Sequence, residues 1–332
     1  MPTIANTTVT WNDLVKLSPM LWFKGASVQM EDIQPGMDIW QLERMDEYNK
    51  DFSVVARSGF SNKVPESGDY PEYLTNQGDT LSLSVLKRGK AYTITEDLLD
   101  GNKYRDIRLG MEELGATIIR GIGLDQHHFL LAFAFSSTYN DRDGLAVLNG
   151  VARGSEALFA DTHTMESGDT WDNLLGAVPF TEPNVRAGED LTVNFTDENG
   201  YQVSVKTDIL THARDFTNRH MAARLFNSTQ QFQVDSAERN INVYRGAYRP
   251  VELFYAATTA GGAADTANKG KYWAGYSSQL MKDAAIYGLH TPPTPAGPFE
   301  DPFNGGMLWR SKARYDMGIG FAQVGFGAPS LT

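Results

Sequence analysis

The chain has 332 residues and a formal charge of −12, with 29 Lys and Arg against 41 Asp and Glu. With 41% hydrophobic residues it can bury a substantial core, while the lack of any run of 18 or more apolar residues excludes a membrane-crossing helix. The absence of cysteine excludes disulfides, thiolate nucleophiles and Cys-based zinc sites, and the acidic balance argues against a surface dedicated to gripping phosphates.

Residues 1–45 mix apolar clusters, Leu21-Trp22-Phe23 and Ile39-Trp40, with breakers at Pro19, Gly25, Pro35 and Gly36. No period is sustained, so an extended arm packed on something else is expected. Met1 to Asn12 is polar and lacks the basic and apolar regions of a secretory signal, which predicts retention in the cytoplasm of the cell that makes it. Phe52, Val54 and Ala56 alternate with other residues, and Thr80 to Val85 alternates strictly, so both stretches predict strands. Residues 59–79 between them are punctuated by Gly, Pro, Asn and Asp, which makes the pair a long hairpin with an irregular tip.

Thr95 to Leu99 predicts a short helix, with Thr95 or Asp97 as its cap. From Tyr104 to Phe135, Ile107, Met111, Leu114, Ile118, Ile122, Phe129 and Phe133 form one apolar stripe, the pattern of an amphipathic helix about 45 Å long. Gly110, Gly115, Gly121 and Gly123 interrupt it, each at about 1 kcal/mol relative to alanine. That helix therefore depends on tertiary packing or on the close approach of a neighbour. Further on, Leu191–Phe195 and Tyr201–Val205 predict a hairpin across an Asn199-Gly200 turn, and residues 207–228 predict a second amphipathic helix. The proline- and glycine-rich residues 288–306 predict loop, and Met307 to Phe326 a strand returning to the core.

Candidate chemistry is sparse. His127 and His128 are adjacent on a helix and point about 100° apart, so they cannot share an ion, and no His-x-x-x-His pair occurs. His163 follows Asp161, while His212 and His220 sit in the predicted second helix among charged neighbours, where solvation or subunit contacts account for them. The helix glycines lack the preceding strand and turn of a dinucleotide loop. Glu96-Asp97, Glu112-Glu113 and Asp141-Asp143 fit caps and solvated faces. The reading is no catalytic residue, no metal and no cofactor.

The order of arm, long hairpin, long helix, mixed region and returning strand resembles the major capsid proteins of tailed phages, the HK97-like fold, and in particular Mu-like major head subunits. Residues 90–99 (KAYTITEDLL), 158–163 (LFADTH), the 191–228 region and Trp309 to Phe321 carry the resemblance. It implies an α+β fold divided into an N-terminal arm 1–45, an E-loop hairpin 46–90, a P-domain 91–165 and 301–332 containing the spine helix 104–135, and an A-domain 166–300. It implies a structural subunit, not an enzyme, that forms hexamers and pentamers of an icosahedral shell around double-stranded DNA, held without sequence-specific contacts. Portal, scaffolding and decoration proteins are the implied partners, the virion the location, and the host cytoplasm the place of assembly. Some relatives carry an N-terminal scaffolding segment; because this sequence starts at the arm, scaffolding is expected from a separate protein or not at all. Inter-subunit contacts are assigned to Lys63, Tyr70, Tyr73, Leu74, Lys87, Arg88 and Lys90 of the E-loop, with Lys63 read as a solvated charge, not a cross-link. An encapsulin-type compartment with enzyme cargo is the near alternative, and a soluble hydrolase the distant one.

Overall fold

The computed structural model describes residues 11–55, 77–101, 104–140, 146–148, 156–165, 168–197, 199–228, 242–300 and 306–329. The expected extended arm is largely a helix, α1 (Trp11–Met37), with Pro19 and Pro35 inside it. Tertiary anchoring overrides the prolines. Trp22 Nε1 donates to Ser311 Oγ at 3.0 Å and Trp309 Nε1 donates to Ser18 Oγ at 3.1 Å, so positions four apart on the helix lock onto positions two apart on a strand. After α1 the chain forms β1 (Gln41–Arg44), then the long hairpin of β2 (Asn49–Val55) and β3 (Gln77–Ser84), paired from Asn49↔Ser84 to Val55↔Gln77. Residues 56–76, which include most of the predicted tip 59–79, lie outside the described residues.

Next come β4 (Leu86–Ile94), the expected short helix α2 (Glu96–Asp100), and α3 (Tyr104–His127), which continues through a π-helical turn, His128–Ala132. Ile107, Met111, Leu114, Ile118, Ile122, Phe129 and Phe133 are all buried, so the predicted stripe is the buried face. The interior glycines serve close approach. A β-carbon on Gly25 of α1 would lie 2.6 Å from the Glu112 carbonyl carbon, and one on Gly115 of α3 would lie 2.9 Å from that of Trp22. Two glycine-to-backbone contacts thus let α1 and α3 cross almost in touch.

Short ladders follow: β5 (Thr138–Asn140) with β6 (Ala146–Leu148), and β7 (His163–Thr164) with β8 (Thr170–Trp171). The first two residues of the predicted hairpin at 191–205, Leu191 and Thr192, are instead taken into the last turn of α4 (Glu182–Thr192), which Pro183 starts. A short irregular hairpin survives around the turn, with the Val203 amide donating to the Phe195 carbonyl and the Asp197 amide to the Tyr201 carbonyl, each at 2.8 Å. Gly200 has φ +77°, the Asp197 carboxylate accepts from the Asn199 and Tyr201 amides at 3.0 and 2.8 Å, and a single bridge joins Thr196 to Gln202. The predicted helix 207–228 is half strand: β9 (Ile209–Ala213) is buried at every residue, and α5 (Phe216–Asn227) begins only after Asp215 caps the Thr217 and Asn218 amides. A strand covered on both faces shows no alternation, so its apolar run reads equally well as helix.

The remaining elements are β10 (Arg249–Leu253), α6 (Thr266–Lys269), β11 (Trp273–Tyr276), α7 (Ser278–Ala284), β12 (Ala285–Glu300), β13 (Met307–Ile319) and β14 (Gly325–Ala328). The expected loop at 288–306 is therefore mostly a long strand. β1 covers β12 only from Ile286 to Leu289, so Pro292, Pro293, Pro295 and Pro298 fall where β12 has β13 on one side alone, with three register shifts absorbing them. The expected returning strand divides between two sheets. One has the order β1-β12-β13-β4 and the other β10-β9-β11-β14. A continuous apolar core joins both sheets to α1 and α3, and a second core lies under α4 and α5.

Candidate assembly interface

The hairpin is held at its root. Met45, Leu83 and Val85 form a small buried cluster with Phe52, Leu81 and Ile286, and the Val85 amide donates to the Tyr48 carbonyl at 2.8 Å. Tyr48 stacks on His290 with ring centres 4.8 Å apart, and Arg314 lies over the same ring and donates to its hydroxyl. On the inner side, the Asp316 carboxylate accepts from the Ser84 amide at 2.7 Å and the Met317 amide at 2.9 Å. Burial pushes Asp316 up to about 6 against the pull of those amides and of Arg88. Asp125 of α3, also buried, accepts from the Tyr315 hydroxyl at 2.7 Å and pairs with Arg88 at 3.5 Å. Backbone amides and buried charges therefore tie the hairpin's last strand, the long helix and β13 into one unit.

Of the residues assigned to inter-subunit contact, Lys63, Tyr70, Tyr73 and Leu74 lie outside the described residues, whereas Lys87 and Lys90 are exposed on β4. Arg88 departs from the expectation: on β4, which pairs with β13, its side chain turns inward to Asp125 and over the Tyr315 ring. Sequence reasoning missed α1 as a surface. Leu17, Met20, Phe23, Val28 and Met30 are exposed along it, Met20 by 68% and Phe23 by 59%, and an open apolar groove of about 550 Å³ runs between Trp22, Phe23, Met30, Ile119 and Pro293. Exposed apolar surface of this kind marks contact sites. The spacing of Met20, Phe23 and Met30 was a helical signal, hidden by the two prolines.

Four of the six histidines, His127, His128, His163 and His212, are buried. His127 accepts from the Tyr255 amide at Nδ1, while His128 Nε2 meets the Tyr255 carbonyl at 3.0 Å and the Thr258 hydroxyl at 2.8 Å. Burial drives both down to about 3, so both are neutral. His163 is buried between Glu156 and Asn173, each 3.0 Å away, and stacks on Trp171; burial lowers its pKa. Asn173 in turn donates to the Leu158 and Ala322 carbonyls and accepts from the Ala160 amide, pinning the 158–163 segment to the core. His212, expected among solvated charges, is buried on β9. Among the described residues no group of three or more His, Asp or Glu could hold a metal ion, and no helix is long and apolar enough to cross a membrane.

No protein-family model matches the sequence, nor does any curated protein. Solved structures do match. A chain of Gordonia phage Cozz aligns over 90% of this chain and 87% of its own at TM-score 0.53 and 10% identity. The capsid of Myoviridae phage XM1 aligns over 90% of both chains at 0.51 and 12%, and the mature capsid of bacteriophage PhiM1 over 90% and 87% at 0.50 and 13%. The fold is thus the α+β, HK97-like fold of phage capsid proteins. At such identities the likeness is one of fold.

Proposed function

We propose that this protein is the major capsid protein of a tailed double-stranded DNA phage, a structural subunit with no catalytic role. The observation that carries the reading is the alignment of nine-tenths of the chain with phage capsid folds. The rooted hairpin and the apolar stripe of α1 support it, since both leave surface that a neighbouring subunit would cover. In this reading residues 1–45 are the arm, mostly helical, 46–90 the E-loop, 91–165 and 301–332 the P-domain, and 166–300 the A-domain. Subunits associate as hexamers and pentamers, with Lys63, Tyr70, Tyr73, Leu74, Lys87 and Lys90 meeting neighbours. Portal, scaffolding and decoration proteins are partners, assembly takes place in the host cytoplasm, and the packaged DNA is bound without sequence readout. The resemblance to Mu-like head subunits rests on the sequence alone.

Purified protein should sediment as capsomers or shells of megadalton size; a stable, concentration-independent monomer refutes the reading. Replacing residues 61–77 with a short Gly-Ser connection should leave the subunit folded by circular dichroism, because loop-closure cost changes slowly with length. Shells should then fail to form, and electron microscopy showing normal shells from that variant would remove the hairpin from the assembly mechanism. DNA extracted from particles made during infection supports a virion; an enzyme cargo in its place points to a compartment.

A further inference from the structure

The hairpin of β2 and β3 is a ladder of its own. The chain leaves the first sheet after β1 and rejoins it at β4, so among the described residues no strand pairing joins β2 or β3 to that sheet. What seats the hairpin is the face of β12 and β13 beneath its root. Gly288 of β12 is the cross-strand partner of Asp316 of β13, and Gly318 lies two residues further along β13 on the same face. A β-carbon on Gly318 would lie 2.8 Å from Leu81 and 2.9 Å from Leu83, and one on Gly288 would lie 3.3 Å from Leu83. Asp316 thus stands between two glycines that carry the hairpin's leucines, and its carboxylate accepts from the amide of Ser84, the last residue of β3, at 2.7 Å. The hairpin is part of the cover over Asp316, and lifting it off exposes the carboxylate to water.

The charges that act on Asp316 come from other elements. Arg88 of β4 pulls it toward the charged form and Asp125 of α3 opposes that pull. Nearby groups are already engaged: Glu43 of β1 pairs with Lys50 of β2 at 2.8 Å, Asp51 of β2 accepts from Ser82 at 2.6 Å, and the Tyr315 hydroxyl donates to Asp125. Arg314 of β13 and His290 of β12 hold the Tyr48 ring, Lys87 of β4 stands opposite Arg314, and burial keeps Tyr287 of β12 protonated. From Thr80 to Ser84, β3 brings no charged side chain, only apolar cover and one amide. Loss of water is the largest effect on Asp316 and raises it from 3.8 to about 6.

We infer that Asp316 couples the seating of the hairpin to proton uptake: the root closes onto β12 and β13 most firmly when this carboxyl is protonated, and lifts more readily once it is charged. The coupling is reciprocal, because a seat that raises the proton affinity of Asp316 is itself favoured by the proton to the same extent. Since the seated pKa is the higher one, the added hold is complete below 3.8 and lost as the pH rises through about 6. The ratio of seated to lifted hairpin should therefore fall about tenfold from pH 5 to pH 7. The inference goes beyond the shell reading and does not need it, being a property of the single subunit.

Amide hydrogen exchange of the unassembled subunit, corrected for the intrinsic pH dependence of exchange, reads the opening of residues 80–84. In the wild type their protection should lie below that of α3 and fall about tenfold from pH 5 to pH 7. In Asp316→Asn, which keeps the shape and removes the titration, it should stay flat. Hairpin amides that exchange only together with α3, a wild-type protection that does not fall, or a fall of the same size in both proteins overturns the inference. A second measurement covers an Asp316→Asn chain that fails to fold by circular dichroism. Followed by carboxyl carbon NMR, Asp316 should titrate near 6 in the wild type and nearer 3.8 in Leu83→Ala, which trims its cover. A wild-type titration near 3.8, or one that Leu83→Ala leaves unmoved, overturns the inference as well. Neither measurement involves assembly, so either failure leaves the shell reading standing.

Discussion

Gly115→Ala puts sequence rules and structure in direct opposition. By helix propensity alone, alanine for glycine inside α3 should gain about 1 kcal/mol. The structure reverses the sign. A methyl at Gly115 would meet the Trp22 carbonyl carbon at 2.9 Å, with the oxygen nearer still, and these are backbone atoms that cannot rotate away. Overpacking of this kind costs about 1–3 kcal/mol, and a rigid neighbour puts the cost toward the upper end, so the net loss should be about 1–2 kcal/mol. Gly25→Ala meets the Glu112 backbone in the same way and should lose a similar amount. Both clashes separate the same two helices, so the double variant should lose less than the sum of the single losses. Urea unfolding of the unassembled subunit, read at constant m-value, measures all three. A stabilised Gly115→Ala subunit, or strict additivity in the double variant, would refute the close crossing of α1 and α3.

Two further outcomes follow from the buried titrating groups. His127 and His128 stay neutral in the folded chain down to about pH 3, whereas the unfolded chain takes up both protons near pH 6.5, so stability should fall as pH drops below 6.5. By pH 5 the two together cost about 4 kcal/mol, and His128→Gln should flatten the acid limb of a urea-midpoint profile; an unchanged limb removes burial as the cause. Asp316 acts in the opposite sense: its raised pKa gives the folded state stability that is present below the unfolded value of 3.8 and lost as pH rises through about 6. The stability of the wild type relative to Asp316→Asn should therefore improve by about 2–3 kcal/mol between pH 7 and 4, and a flat difference would mean that Asp316 is not desolvated.

The sequence by itself determined the features that are local or one-sided. The stripe from Ile107 to Phe133 shows helical period because one face of α3 is buried, and the 80–85 alternation shows strand period because two faces of the hairpin differ. The Asn199-Gly200 turn was legible because only particular residues take its conformation. The glycines of α3 signalled close approach without naming the neighbour. Only the tertiary structure decided the rest. α1 is a helix despite Pro19 and Pro35 because Trp22 and Ser18 lock onto β13, residues nearly 300 positions away. β12 runs as a strand through four prolines because it has one paired side there, a property of sheet order and not of local sequence. β9 hides its period because the sheet is covered on both faces. Arg88 turns from a presumed partner contact to a core ion pair because pairing of β4 with β13 points it at Asp125. In each case the local signal was weak or misleading, and burial against a distant segment contributed more free energy than propensity could.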